Sequence, residues 1–493
     1  MKKVLDPQQM KAVERVAIDE IGIPSLVLME RAALACAEEL RKRFEGRTGV
    51  LIVCGTGNNG ADGLALARIL KLWKWTVSVL IIGDKDRATE EWKTQYDLCQ
   101  KLKVRETKLF AEADIIVDAI FGIGLSREIT GDALYAIQRM NARKGFKLAI
   151  DVPSGISCST GAVMGEAFKA DLTVTFQFEK AGQLLYPGRE FCGELICADI
   201  GIPPQFGSII PAVRGEEEDL AAFKDRPRDS HKGTFGRVLV IAGSYYMCGA
   251  AYFAALAAYR AGAGLVEIFT PFENRTPLSS LLPEAILSVY EYLPMDTELL
   301  LKAIKRADAV VIGPGLSTEE DAAKILKMTL LACRVPLIMD ADALNIMAAD
   351  PMVKEILPRK AILTPHVREF SRLTGKTVEE IKADPVEAAK IFAKKCRAVV
   401  VLKDAATVVA DPYGQVFINT SGCSGMATGG SGDVLAGIIG ARCAQEKKDL
   451  FENAALSVYL HGLAGEAAAE DKGENAVIAS DIADGIGTVL CRI

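Results

Sequence analysis

Short apolar runs alternate with stretches of helical periodicity along this chain, and the alternation is carried through twice. From Pro7 to about Phe44 apolar residues recur at helical spacing, which predicts two helices broken near Gly22-Ile23-Pro24, with Met29, Ala33 and Ala37 on the second. A buried strand is expected at Val50 to Cys54, followed by the turn Gly55-Thr56-Gly57-Asn58-Asn59-Gly60-Ala61-Asp62-Gly63 and a helix from Leu64 to Leu72. Further strands are expected at Val77 to Ile82, Ile115 to Ala119, Leu148 to Val152, Asp171 to Phe178 and Glu194 to Ile200, with helices around Arg87 to Lys101 and Asp132 to Asn141. Such alternation predicts a parallel sheet covered by helices.

Around Ile202 to Asp229 the composition shifts to Pro, Gly and the acidic run Glu216-Glu217-Glu218-Asp219, the best linker candidate. Alternation then resumes with a strand at Arg237 to Ala242 and an Ala-rich helix ending at Arg260. Later strands end at Gly313-Pro314-Gly315, Asp340-Ala341-Asp342, Thr364-Pro365-His366 and Lys403-Asp404. The chain therefore reads as α/β in two domains, residues 1–210 and 215–493, each a mainly parallel sheet flanked by helices.

Length agrees with that division, because 493 residues exceed what one hydrophobic core usually covers. A net charge of -6 with 25% charged residues argues against a nucleic-acid partner. No apolar run is long enough for a membrane span, and the start Met1-Lys2-Lys3-Val4-Leu5 lacks a signal core, so a cytoplasmic protein is expected. The twelve cysteines contain no C-x-x-C pair, and several sit in apolar runs, as reduced structural thiols would.

Candidate chemistry gathers at strand ends, where open parallel sheets bind ligands. Asn59, Asp62, Asp118, Asp151 and Ser154 should converge on one crevice of the first domain. Gly55 to Gly60 fits G-x-G-x-x-G and Asp84 follows the next strand, as in a dinucleotide-binding fold. Against a dehydrogenase, the turn carries Asn58, Asn59 and Asp62, which suit a cation or a polyhydroxyl ligand better than a pyrophosphate. In the second domain Gly429-Gly430-Ser431-Gly432-Asp433 opens the apolar run Val434 to Ala441, as a glycine turn leading onto a helix N-terminus does. That end attracts anions. Asp433 would repel a phosphate unless it takes the proton of a substrate hydroxyl, so phosphoryl transfer to an alcohol is indicated. A buried helix simply capped by Asp433 is the competing reading. The region around Gly249 is no Walker A loop, since it lacks the lysine, and the small residues Ala250 to Ala258 suit close helix packing or a flat ligand. His366 and Glu369 are spaced as H-x-x-E, yet without further His or Cys ligands a hydrogen-bonding role is favoured over zinc.

The motifs GTGNNGADG, VDAIFGIGL and DVPSGI resemble the epimerase domain of bifunctional NAD(P)H-hydrate repair enzymes, a Rossmann-like fold, over about residues 1 to 210. GSYYMCGAA, GPG, MDADALN, TPH, LKDAATVV and TGGSGDVLAG resemble the dehydratase half of the same family, a ribokinase-like fold, over about residues 215 to 493. By that resemblance the epimerase half would hold the hydrated nucleotide with Asn58, Asn59, Gly60, Ala61, Asp62, Gly122, Ile123, Gly124, Leu125, Ser126, Arg127, Glu128 and Asp151. It implies potassium at Asn59, Asp118 and Ser154, with Asp151 as the acid/base. In the dehydratase half it implies Ala250, Gly315, His366 and the base Asp433 at the hydrated nucleotide. Lys403, Asp404, Ala405, Ala406, Thr407 and Gly432 would bind ADP or ATP, which brings Mg2+. Family members usually have Gly where Ala61 stands and often Gly where Asp404 stands. The implied partners are small molecules, with ADP the expected donor and a homo-oligomer the expected assembly. A vitamin-precursor kinase of the hydroxymethylpyrimidine or thiazole type, joined to a non-catalytic ligand-binding domain, is the alternative.

Overall fold

The apolar runs read from the sequence form the strands of two sheets. The computed structural model describes residues 1–44, 48–203, 209–223, 226–291, 297–446 and 449–492. Within them the chain divides into two compact units, Lys3–Ala212 and Val213–Ile493 with Met1–Lys2. Parts of the expected linker, residues 204–208 and 224–225, lie outside the described residues.

In the first unit strands β1 (Gly49–Cys54), β2 (Thr76–Ile81), β3 (Arg105–Glu106), β4 (Ile115–Ala119), β5 (Phe146–Ile150), β6 (Leu172–Phe176) and β7 (Glu194–Ala198) are ordered β3-β2-β1-β4-β5-β6-β7. All the pairings are parallel. Strand order reverses between β1 and β4, and such a switch point opens a crevice beyond the carboxyl ends of the two strands. Leu51, Ile52, Val53 and Val117 are fully buried, as strands covered on both faces require.

The helix after β1 spans Asn58–Leu72, so it begins where the sequence reading placed a turn. Gly60 and Gly63 oppose helix on propensity alone, but packing demands them. A Cβ on Gly60 would stand 2.0 Å from the Gly55 carbonyl oxygen, and one on Gly63 would stand 2.5 Å from Ala119 Cβ. The glycines therefore let a helix sit directly on the ends of β1 and β4. Ala61 points into the core and is fully buried, so its methyl fills packing space.

In the second unit β8 (Arg237–Ile241), β9 (Leu265–Pro271), β10 (Ile286–Tyr290), β11 (Ala309–Ile312), β12 (Leu337–Met339), β13 (Ala361–Leu363), β14 (Val399–Leu402), β15 (Val408–Ala410) and β16 (Val416–Ile418) run in the order β10-β9-β8-β11-β12-β13-β14-β15-β16. Pairing is parallel as far as β14 and antiparallel through β15 and β16. The small-residue helix Cys248–Arg260 lies against the helix Ser431–Gln445 so closely that a Cβ on Gly437 would reach 2.1 Å from the Ala254 carbonyl oxygen. That contact fixes the N-terminus of the second helix against the first. All twelve cysteines are free, and no helix among the described residues is long and apolar enough to cross a membrane.

Candidate functional site

A cavity of about 740 Å³ opens at the switch point of the first unit. Asn58, Asn59 and Asp62 reach it from the first turns of their helix, Gly122 to Leu125 from the loop after β4, and Asp151 from the end of β5. Gly60 and Ala61 pack inward instead, while Ser126, Arg127 and Glu128 are exposed and stand off the cavity wall.

Asp151 has a left-handed backbone, φ +64°, a conformation that costs a non-glycine residue energy and persists where the surroundings hold it. Its N–H donates to the Val174 carbonyl and its own carbonyl accepts from Gln183 Nε2 at 2.7 Å. Oδ1 accepts from Lys180 Nζ at 2.6 Å and from Thr175 Oγ1 at 3.1 Å. Oδ2 lies toward the loop after β4, 3.2 Å from where a Cβ on Gly122 would stand. Four more acids, Glu14, Asp62, Glu91 and Asp132, line this cavity. Burial, followed by the negative charges of Asp151 and Glu14, pushes the Asp62 carboxyl well above its usual range. Burial and Asp151 raise Glu14 to about 7, against the pull of Lys180 and Lys11. Lys180 thus pairs with one of the lining carboxyl groups, while two others, Asp62 and Glu14, are biased toward the protonated form.

Beneath the cavity Asp118 is fully buried, and burial raises its carboxyl to about 6 against hydrogen bonds that favour the ionised form. Its oxygens accept from Ser154 N and Ser154 Oγ, both at 2.7 Å, and from Ile120 N at 3.2 Å. These donors are neutral. Asn59 Nδ2 is buried and has no hydrogen-bond partner among the described residues. Turning that amide over would present its oxygen in the same place. A buried carboxylate hydrogen-bonded to a serine hydroxyl, and a buried amide without a partner, are the donor types that suit a hard monovalent cation such as potassium.

In the second unit the N-cap of the helix Ser431–Gln445 is Gly430, at φ +91°, and Asp433 lies in the first turn without capping it. Lys403, at the end of β14, donates from Nζ to Asp340 Oδ1 at 2.7 Å. A Cβ on Gly432 would stand 3.1 Å from Lys403 Nζ and 3.6 Å from Asp340 Oδ2, so ammonium, carboxylate and helix N-terminus meet at one point. Burial first, then the negative charge of Asp340, raises Asp433 to about 7, with Lys403 opposing. A reaction that uses Asp433 as base requires its carboxylate form. Its kcat should therefore rise with pH through about 7 and fall on the acid side, which a pH–rate profile checks.

The other sequence-derived residues surround this point. Ala250 and Gly315 are neighbours, since a Cβ on Gly315 would stand 2.9 Å from Ala250 Cβ. The helix bearing Ala250 reaches the glycine turn through Phe253, whose ring would lie 2.9 Å from a Cβ on Gly430. His366 is bridged to Lys403 through the backbone. It caps the helix Val367–Thr374, with Nδ1 accepting from Arg368 N and Glu369 N while Glu369 Oε2 accepts from His366 N. Nδ1 is thereby an acceptor, and burial lowers the ring's pKa, leaving a neutral ring whose Nε2–H is a donor. The H-x-x-E spacing is thus a capping box. Asp404 is tied to Lys382 at 3.1 Å, Ala405 is exposed, and Ala406 and Thr407 are buried in the turn before β15.

The sequence reading assigned no role to Glu14, Thr175, Lys180, Gln183 or His461, and it noted Asp340 only as a strand end. His461 is buried behind the glycine turn, Nε2 3.4 Å from Ser431 Oγ, with burial holding its pKa down to about 4. Lys180, set with Glu179 between Phe178 and the run Ala181-Gly182-Gln183-Leu184-Leu185, carried a usable signal, because a lysine in such an apolar setting is buried only if paired.

Residues 25–182 match the family described as YjeF-related protein N-terminus, and residues 238–487 match the family described as NAD(P)H-hydrate dehydratase. The bifunctional NAD(P)H-hydrate repair enzyme of Moorella thermoacetica is 37% identical over 98% of this chain and 95% of its own. That of Escherichia coli is 35% identical over 95% of this chain and 90% of its own. Among solved structures, the ADP/ATP-dependent NAD(P)H-hydrate dehydratase from Bacillus subtilis, co-crystallised with ATP and Mg2+, is 32% identical and covers 57% of this chain and 98% of its own at a TM-score of 0.51. Relatives that span both halves do not favour a vitamin-precursor kinase joined to a non-catalytic domain. With both halves matched in one continuous chain, the protein belongs to the bifunctional NAD(P)H-hydrate repair enzymes.

Proposed function

We propose that the two sites act in sequence on damaged nicotinamide cofactors, interconverting the R and S hydrates of NADH and NADPH in the first unit and dehydrating the S form in the second. Hydration places a hydroxyl on a ring carbon next to the ring nitrogen, and hydroxide is a poor leaving group. Asp433 takes the hydroxyl proton as the oxygen attacks the terminal phosphoryl of ADP or ATP, breaking its bridging P–O bond to release AMP or ADP and giving a phosphate ester. The ring-nitrogen lone pair then expels phosphate, and loss of the neighbouring ring proton restores the double bond. Lys403 to Thr407 and Gly432 hold the donor nucleotide, whose Mg2+ offsets phosphate charge. Ala250, Gly315 and the donor Nε2–H of His366 position the acceptor. The observation that carries this half is one carboxylate, raised to about 7, at an anion-attracting helix N-terminus beside a lysine.

In the first unit Asn58, Asn59, Asp62 and Gly122 to Leu125, which line the cavity, bind the hydrate, and Asp151 moves the proton during inversion. A protonated hydroxyl leaves as water while the ring nitrogen forms a C=N bond, and water adding to the opposite face gives up its proton. Asp62 and Glu14, biased toward protonation, suit the donor role, and Asp151, paired with Lys180, suits the acceptor role. Asn59, Asp118 and Ser154 hold potassium, which supplies a fixed positive charge at the strand ends. ADP is the preferred donor, and the enzyme works on small molecules in the cytoplasm as a homo-oligomer. Incubating S-hydrate with ADP or ATP tests the dehydratase half: restored absorbance of the reduced nicotinamide should match free phosphate one to one. A stable phosphorylated product would instead mark an ordinary kinase.

A further inference from the structure

The epimerase cavity holds more acid than one proton transfer needs. Glu14, Asp62, Glu91, Asp132 and Asp151 all line it, as does Lys11, yet among the described residues the lining ammonium hydrogen-bonded to one of these carboxylates is that of Lys180. Lys180 is 1% exposed, and its three donors are directed at Asp151 Oδ1 (2.6 Å), Thr175 Oγ1 (2.7 Å) and the Phe176 carbonyl (3.1 Å). Its own N–H donates to Gln183 Oε1 at 2.8 Å, and the same Gln183 holds the Asp151 carbonyl. The segment Thr175 to Gln183 thus grips both the side chain and the left-handed backbone of Asp151.

We propose that Lys180 is the positioning residue of the epimerase centre, fixing Asp151 Oδ1 so that Oδ2, facing the Gly122 loop, is the oxygen that accepts the proton from the incoming water. The inference rests on the reading of this cavity as the epimerase site. Lys180 also singles out Asp151 as the base among the carboxyl groups that line the cavity. Asp151 is the carboxyl group whose oxygen an ammonium holds in place, while Asp62 and Glu14, biased by burial toward protonation, suit the role of proton donor. A misdirected carboxylate cannot be replaced by its neighbours, which approach the substrate from other elements, Glu14 from the helix Pro7–Arg15 and Asp62 from the helix Asn58–Leu72.

The test is chemical rescue in the full-length protein, assayed with R-hydrate as substrate and an excess of active dehydratase as the reporter. Lys180→Ala should lower epimerase kcat by about 10- to 100-fold with KM unchanged, the cost of a mispositioned reacting group. Propylamine, which restores an ammonium on a three-carbon stem, should recover part of the rate, and propanol, which fills the same space without charge, should not. Lys180→Met, which keeps the slot filled, should show the same loss and no recovery with the amine. Equal rescue by propanol, or an unchanged kcat in Lys180→Met, would overturn the proposal by reducing Lys180 to a space-filler. Absence of epimerase turnover in the unaltered protein would overturn the reading of the cavity, and the proposal with it. Recovery by the amine alone supports both.

Discussion

Asp433→Asn is expected to abolish nucleotide-dependent repair, lowering dehydratase kcat by roughly 10²–10⁴-fold, the usual contribution of a positioned general base. Asparagine keeps the size of the side chain but cannot accept a proton. The N-terminus of the helix Ser431–Gln445 gains no new contact, and the Lys403–Asp340 pair next to it stays intact, so KM for ADP should change little. Stability should hold or improve, because the wild-type carboxylate is held partly out of water near Asp340, which is why its pKa stands near 7. Epimerase turnover in the same protein should be retained. A kinetic comparison with both hydrates checks these expectations together. If S-hydrate is still repaired at the normal rate, Asp433 is not the base.

The second large effect is expected at Asp151. Asp151→Asn should reduce conversion of R-hydrate to the spontaneous rate while S-hydrate is still dehydrated, a loss again of about 10²–10⁴-fold in the enzymatic term. This substitution also has a structural cost. Lys180 would keep a carbonyl acceptor but lose its counter-charge in a site where it is 1% exposed. Removing one partner of a buried ion pair typically costs about 3–5 kcal/mol, and the retained Asn oxygen should bring the loss below that range. Thermal unfolding of the variant measures it. A fall in epimerase rate with no change in stability would mean that the Lys180–Asp151 pair contributes little to the fold.

Much of this architecture was legible because β-strand runs such as Leu51 to Val53 and Ile115 to Val117 are apolar on both faces, the mark of a parallel sheet covered by helices. Strand ends were legible too. Asp118 and Asp151 follow such runs directly, so the parallel pairing of β1, β4 and β5 sets both at the same edge of the sheet. Other features depended on contacts distant in sequence. The helix start at Asn58 was hidden because Gly60 and Gly63 suggest a turn, whereas their purpose is close packing on Gly55 and Ala119. Lys180 was missed because it ends no strand of the seven-stranded sheet; its partner is 29 positions back, and the pair exists only once Thr175 to Gln183 folds over the end of β5. Asp340 showed as a strand end, but its engagement with Lys403, 63 positions on, was not encoded in any local pattern. His366 illustrates the opposite case. H-x-x-E is a metal spacing and a capping spacing at once, and the helix Val367–Thr374 that begins there decides for the cap.

The central claim, that one chain both inverts and dehydrates the damaged cofactor, is tested most directly by supplying isolated R-hydrate with ADP, Mg2+ and potassium and following the absorbance of reduced nicotinamide. Full recovery is expected, faster than spontaneous inversion of the hydrate, with one phosphate released per reduced nucleotide. Recovery limited to the spontaneous rate, while S-hydrate is repaired at once, would contradict it.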